Sequence, residues 1–241
     1  FDGPLTITIS PKIWNLFETN AHVINAIGTK ITIPERRVQN SGCFSHIHGG
    51  RVNHLSLLKS DASFLDFKKG VHLRMSAQYW GSIRGRTMRF IESSFRSTSS
   101  IIDVVLEWND FSFTPRVSVN SNVFLPLLPF PFLMCEHRVV GLLRQMVTSI
   151  VNNGIQRMMV DAVEQHLNPF LQKLRKRVIA MGYTPYQVEW TVQENLLHVI
   201  VKPKSWNGVV SAITPIDSML CMNGIMSTMN DETTDQSKAA A

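Results

Sequence analysis

The sequence predicts an α+β fold, a strongly twisted antiparallel sheet wrapped around two long amphipathic helices to leave an elongated barrel with an apolar interior. Two stretches carry apolar residues at helical spacing, one near the start and one beyond residue 137. Between them, residues 35–122 alternate apolar and polar side chains as strands with one buried face do. Each helix needs an apolar surface to cover its stripe, and a strongly curved sheet supplies one to both. Of 241 residues, 44% are hydrophobic and 17% charged, which suits a large core and excludes a disordered chain or a coiled coil.

The elements follow in order. Leu5, Ile7 and Ile9 alternate with Thr6 and Thr8 as a strand. Ser10-Pro11 starts a helix, because the Ser side chain caps free amides and Pro fits the first helical position. Ile13, Leu16, Phe17, Ala21, Ile24 and Ile27 form its stripe, and Gly28 stops it. Ile31 and Ile33 begin a second strand, ended by Pro34. Strands are expected around 51–58, 71–79, 87–95, 101–108 and 111–119, with turns at Gly49-Gly50, Arg84-Gly85-Arg86 and Asn109-Asp110. The apolar segment Val123–Met134 holds Pro126, Pro129 and Pro131, which forbid a helix or a central strand; exposed it would be a membrane-inserting or partner-binding patch, but so apolar a loop is seldom left in water, so it reads as a buried crossover over the barrel end. From about His137, Val139, Leu142, Leu143, Met146, Ile150, Gly154, Met158 and Ala162 make the stripe of the long helix. Pro169 should kink or restart it, and Lys173, Arg175, Lys176 and Arg177 suit its C-terminal end, near 177. A hairpin turning at Glu194-Asn195 follows, then a strand within 209–226. The domain reading is one barrel over 1–226 and a polar, disordered tail over 227–241 that ends in what reads as a cloning scar. The start at Phe1, without Met, reads as a processed or trimmed chain.

The order and spacing of these elements resemble the tubular lipid-binding (TULIP) superfamily, nearest to the N-terminal barrel of its bactericidal/permeability-increasing and lipopolysaccharide-binding branch. LTITISPKIWNLFETNAHVINAIGTKITIP is similar to the family's strand, first helix and strand ending in Ile-Pro. VVGLLRQMVTSIVNNGIQRMMVDAVEQHLNPFLQKL resembles its longer second helix, including the break at Leu167-Asn168-Pro169-Phe170. GVHLRMSAQYWGSIRGRTMRF resembles its hairpin with a cationic tip. The resemblance implies a groove for acyl chains between helices and sheet, a secreted or lumenal location, and a second barrel in a longer parent chain. It also implies a disulfide from the second helix to a nearby strand. No Cys occurs between Cys135 and Cys221, so that bond has no place here, and the pairing of Cys43, Cys135 and Cys221 stays open.

The candidate site has two parts. Leu16, Phe17, Ile24, Leu143, Met146 and Ile150 share the helix faces that would line an acyl groove, although such stripes are often plain core. The eleven methionines favour a surface that repacks around varied chains. Arg84, Arg86, Arg89 and Arg96 gather about one hairpin tip, where guanidinium forks can meet anionic head groups or simply be solvated, and Trp80 beside them suits a membrane interface. The net charge of +6 agrees with an anionic partner. Cys43, His46, His48 and His54 are zinc-type residues, but no paired motif accompanies them, and no metal or cofactor is expected. No nucleophile elbow, phosphate loop, dinucleotide fingerprint or acid/base pair occurs, so no enzyme is expected.

The expected function is therefore binding, with transfer or presentation, of a phospholipid or related amphiphile. The alternative is an effector that recognises and perturbs anionic bacterial lipid or membrane surfaces. The partners are an acyl-chain lipid and an anionic membrane, with no nucleic acid.

Overall fold

The computed structural model describes residues 5–15, 21–40, 43–86, 90–126, 133–180 and 186–203. The strands are β1 (Leu5–Ile9), β2 (Thr32–Ile33), β3 (Arg36–Asn40), β4 (Cys43–Leu65), β5 (Gly70–Arg86), β6 (Phe90–Trp108), β7 (Phe113–Phe124), β8 (Tyr186–Gln193) and β9 (Leu196–Pro203). Helix α1 is Ala21–Gly28, and α2 (Leu133–Ala162) continues through a π-helical turn at Val163–Leu167 into α3 (Asn168–Ala180). All strand pairs are antiparallel.

The main sheet runs β2-β4-β5-β6-β7, with β3 also on β4. Register shifts at Ile47/Gly49, Val52/His54, Leu58/Ser63, Ser76/Trp80 and Ser97/Ser99 bend these long strands, as bulges do, and curl the sheet around α2. Gly49 and Gly50 do not turn the chain as expected; they lie inside β4. Gly49 has φ 144°, and a Cβ on Gly50 would come within 2.5 Å of the Ser82 carbonyl oxygen. Glycine serves there because the neighbouring backbone approaches too closely for a side chain. Arg84, Gly85 and Arg86 likewise end β5 rather than turning it.

Two expectations about the architecture are corrected. One sheet was expected, but β8 and β9 join β1 in a separate three-stranded sheet, order β1-β9-β8. Trp108 and Phe113 of the main sheet pack on Trp190 of β8, with ring centres 5.7 and 5.9 Å apart, and hold the two sheets together. Two long helices were expected, but the described residues contain one. The first is a 3₁₀ turn at Pro11–Trp14 and the eight-residue α1, with 16–20 outside the described residues.

The long helix spans more than its predicted 137–177, and Pro169 is absorbed just before it. The Asn168 N–H donates to the Val163 carbonyl, one residue further back than in an α-helix, so the π turn takes up the geometry that Pro169 imposes. The Asn168 side chain then clamps β7: its Oδ1 accepts from Phe113 N–H at 2.7 Å and its Nδ2 donates to the Phe113 carbonyl at 2.9 Å. Gln172 donates to the carbonyls of Asp110 and Phe111, and Arg175 pairs with Asp110 at 3.0 Å. These bonds fix a tight turn in which Asp110 and Phe111 have φ 44° and 58°. The hairpin at Glu194-Asn195 turns in the same left-handed way, as expected. The strand expected within 209–226 and the tail 227–241 lie outside the described residues.

Candidate lipid groove and outer face

Helix α2 buries a stripe one position away from the predicted one. Val140, Leu143, Val147, Val151 and Ile155 face the sheet, and the last three are fully buried. Opposite them the same core holds Ile47, Val52, Leu55, Tyr79, Phe95 and Ile102. The helix comes close because Gly154 lies against Ile31; a Cβ there would be 2.7 Å from Ile31 Cγ2. Most of the predicted stripe, including Met146, Ile150 and Met158, runs beside the buried one, half-covered and packed against its edge.

Among the predicted groove residues, Leu143 is thus a core residue. Ile24, Met146 and Ile150 are half-buried and border the same core. Leu16 and Phe17 lie outside the described residues. Inside the barrel, polar atoms interrupt the apolar wall. The Ser100 and Ser121 hydroxyls bond at 2.7 Å. Burial pushes the Tyr79 phenol up, and the Ser121 hydroxyl beside it partly offsets that. The Ser121 hydroxyl is already engaged by Ser100, and the buried Tyr79 hydroxyl has no well-formed hydrogen-bond partner.

The outer face carries a row that includes Trp80 and Arg96, both singled out in the sequence, and aligns them with His54 and Phe124, which sequence reasoning did not connect to them. His54 pairs in register with Trp80, Trp80 with Arg96, and Arg96 with Phe124. The His54 and Trp80 rings stack with centres 6.0 Å apart, and the Arg96 guanidinium lies 5.3 Å from the Phe124 ring centre. Trp80 is 50% exposed and Phe124 43%, although both are large and apolar. Trp80, Arg96, Phe124 and Pro126 line an open hollow of about 350 Å³, with room for a head group or a ring rather than for two acyl chains. The signal lay in the outward positions of four strands, but bulges beside three of them hide the register.

Of the four predicted arginines, the side chains of Arg84 and Arg96 are described. Arg84 pairs with Glu92 at 3.3 Å. Arg96 lies on the same face, four residues further from the hairpin tip, or roughly 13 Å at strand spacing. The side chain of Arg86 and all of Arg89 lie outside the described residues. Of the apolar segment, Val123 and Leu125 are buried and Phe124 is exposed, while 127–132 lie outside the described residues.

The zinc-type residues divide. His54 belongs to the aromatic row, and the Cys43 side chain lies outside the described set. His46 and His48 meet Glu35, a residue with no mark in the sequence pattern, because β3 folds back on β4 and brings it opposite.

No family model and no curated protein sequence matches the chain. A solved structure does: the crystal structure of lipopolysaccharide binding protein, with a TM-score of 0.55 and 14% identity over 88% of this chain. The chain therefore shares the fold of that protein over most of its length. It spans about half the length of that protein, covering 55% of it.

Proposed function

We propose that this protein binds a phospholipid or related amphiphile, with its acyl chains against the edge of the barrel core and its head group toward the basic outer face. The observation that carries this reading is the half-covered row of Met146 and Ile150 beside the fully buried face of α2, with Ile24 also half-covered against the same core, in a fold shared with lipopolysaccharide binding protein. An acyl chain laid along such a seam gains about 0.8 kcal/mol per buried methylene. Transfer between membranes, a secreted or lumenal location and a non-catalytic role go with this reading.

The exposed Trp80–Arg96–Phe124 row favours one further element, direct contact with an anionic membrane surface. Aromatic rings settle at the head-group level, and arginine pairs with phosphate. The test is movement of a labelled phospholipid from donor to acceptor vesicles, with dye leakage recorded in parallel. Transfer above the spontaneous rate without leakage supports the proposal. Leakage without transfer supports the membrane-perturbing effector instead.

A further inference from the structure

We propose that Glu35, His46 and His48 form a binding site for a divalent cation of the zinc class on the outer face of the barrel. A glutamate oxygen and a nitrogen from each imidazole all lie within 4.8 Å of one another. His46 Nε2 is 2.5 Å from Glu35 Oε1, and the two imidazole rings have centres 4.4 Å apart. In a tetrahedral zinc site, with bonds of about 2.0–2.1 Å, donor atoms stand roughly 3.3 Å apart. His46 is only 19% exposed, while Glu35 is 63% exposed and His48 is exposed, so these two reach that spacing about His46 by small rotations.

The backbone holds this arrangement. Ile33 pairs with Gly50 and Arg36 with Ile47, so Glu35 falls opposite His48. The register shift between Ile47 and Gly49 makes His48 the extra residue of a bulge, with Ile47 buried in the core and the histidines on either side turned outward. A cation here would clip the start of β3 to the bulge of β4.

The surroundings select the metal. Arg37 is the register partner of His46 on β3 and is exposed. Calcium and magnesium rely on several oxygen ligands, and a single carboxylate beside an arginine does not supply them. Zinc-class ions bind through neutral imidazole nitrogen, which depends less on the local charge. Two histidines and one glutamate are also the ligand set of open zinc sites, with a fourth position left for water or an anion.

The test is calorimetric titration of untagged protein with zinc chloride alone. Visible absorption with cobalt(II) alone would report the ligand geometry. Wild type should take up a single zinc per chain. The double variant His46→Ala, His48→Ala should lose at least tenfold in affinity, and Glu35→Gln, which keeps the side-chain shape, should weaken binding several-fold. His22→Ala, an exposed histidine of α1, should bind like wild type. Thermal melts without metal check that each variant is folded; should the double variant fail to fold, Glu35→Gln decides. Absence of saturable zinc uptake by wild type, or undiminished affinity in the folded variants, would overturn the proposal.

Discussion

The guanidinium of Arg96 lies over the ring of Phe124, 5.3 Å from its centre, on an outer face where Phe124 would otherwise be an isolated exposed apolar side chain. Cation–π contact of this kind contributes about 0.5–1 kcal/mol at an exposed site and orients the charge outward. Trp80, in register with Arg96, extends the same surface. If this row meets anionic lipid, Arg96→Ser with Trp80→Ser should weaken binding to anionic vesicles at least tenfold and flatten its salt dependence, while neutral vesicles show little change. Sedimentation with vesicles of graded anionic content measures this, and equal binding by both proteins at every salt concentration counts against the row.

A second expectation concerns the clamp between helix and hairpin. Asn168 satisfies both backbone groups of Phe113 at part-buried positions. Asn168→Ala leaves a donor and an acceptor without partners, at about 1–3 kcal/mol. For a chain of this size that lowers the melting temperature by roughly 4–8 °C at the middle of that range. Asn168→Asp should recover part of the loss, since it still accepts from Phe113 N–H. A melting temperature unchanged in Asn168→Ala would show that the clamp is not structural.

Gly154 sets two effects against each other. Alanine raises helix propensity by about 0.8–1.0 kcal/mol. Its Cβ, however, would sit 2.7 Å from Ile31 Cγ2, on a stiff β-branched side chain that is itself buried. Overpacking of this kind costs about 1–3 kcal/mol, so Gly154→Ala should destabilise on balance. Chemical denaturation measures the difference; a gain in stability would mean that α2 does not approach the sheet this closely.

A fourth expectation is pH-dependent. Burial raises the Asp103 carboxyl, but hydrogen bonds and charge from Arg74 and His72 outweigh it and hold the group below the usual carboxylate range. A depressed carboxylate contributes stability that is fully present above its unfolded value and is lost as pH falls through its folded value. Asp103→Asn should therefore cost about 0.5–1 kcal/mol near neutral pH, modest because Arg74 is half exposed. The gap to wild type should close below about pH 4. Denaturation curves across that range measure it, and a constant gap would assign the effect to packing.

Local periodicity made most elements legible. The alternation of Leu5–Ile9, the strand character of 51–58, 71–79, 101–108 and 113–119, the long helix and the Glu194-Asn195 hairpin follow from spacing and turn chemistry, whereas the glycines at 49, 50 and 85 mimicked turns inside longer strands. Pairing was less legible. Nothing in LTITI says that β1 joins β9 rather than the main sheet, because strand partners are chosen by long-range contacts. The buried face of α2 was missed by one position because Val147 and Val151 fit the sheet better than their neighbours Met146 and Ile150, which the pattern alone cannot rank. The outer row and the Glu35 cluster depend on register, which five bulge-like shifts conceal.

The central claim is that an acyl-chain lipid lies along the seam that Met146 borders. Mass spectrometry of lipid extracted from purified wild type and from Met146→Glu tests it most directly, with circular dichroism to confirm that the variant is folded. The account predicts a stoichiometric acyl lipid in wild type and its loss from the folded variant, because an unpaired charge against that seam is costly to desolvate. Wild type without acyl lipid, or a folded Met146→Glu that still carries it, would contradict the account.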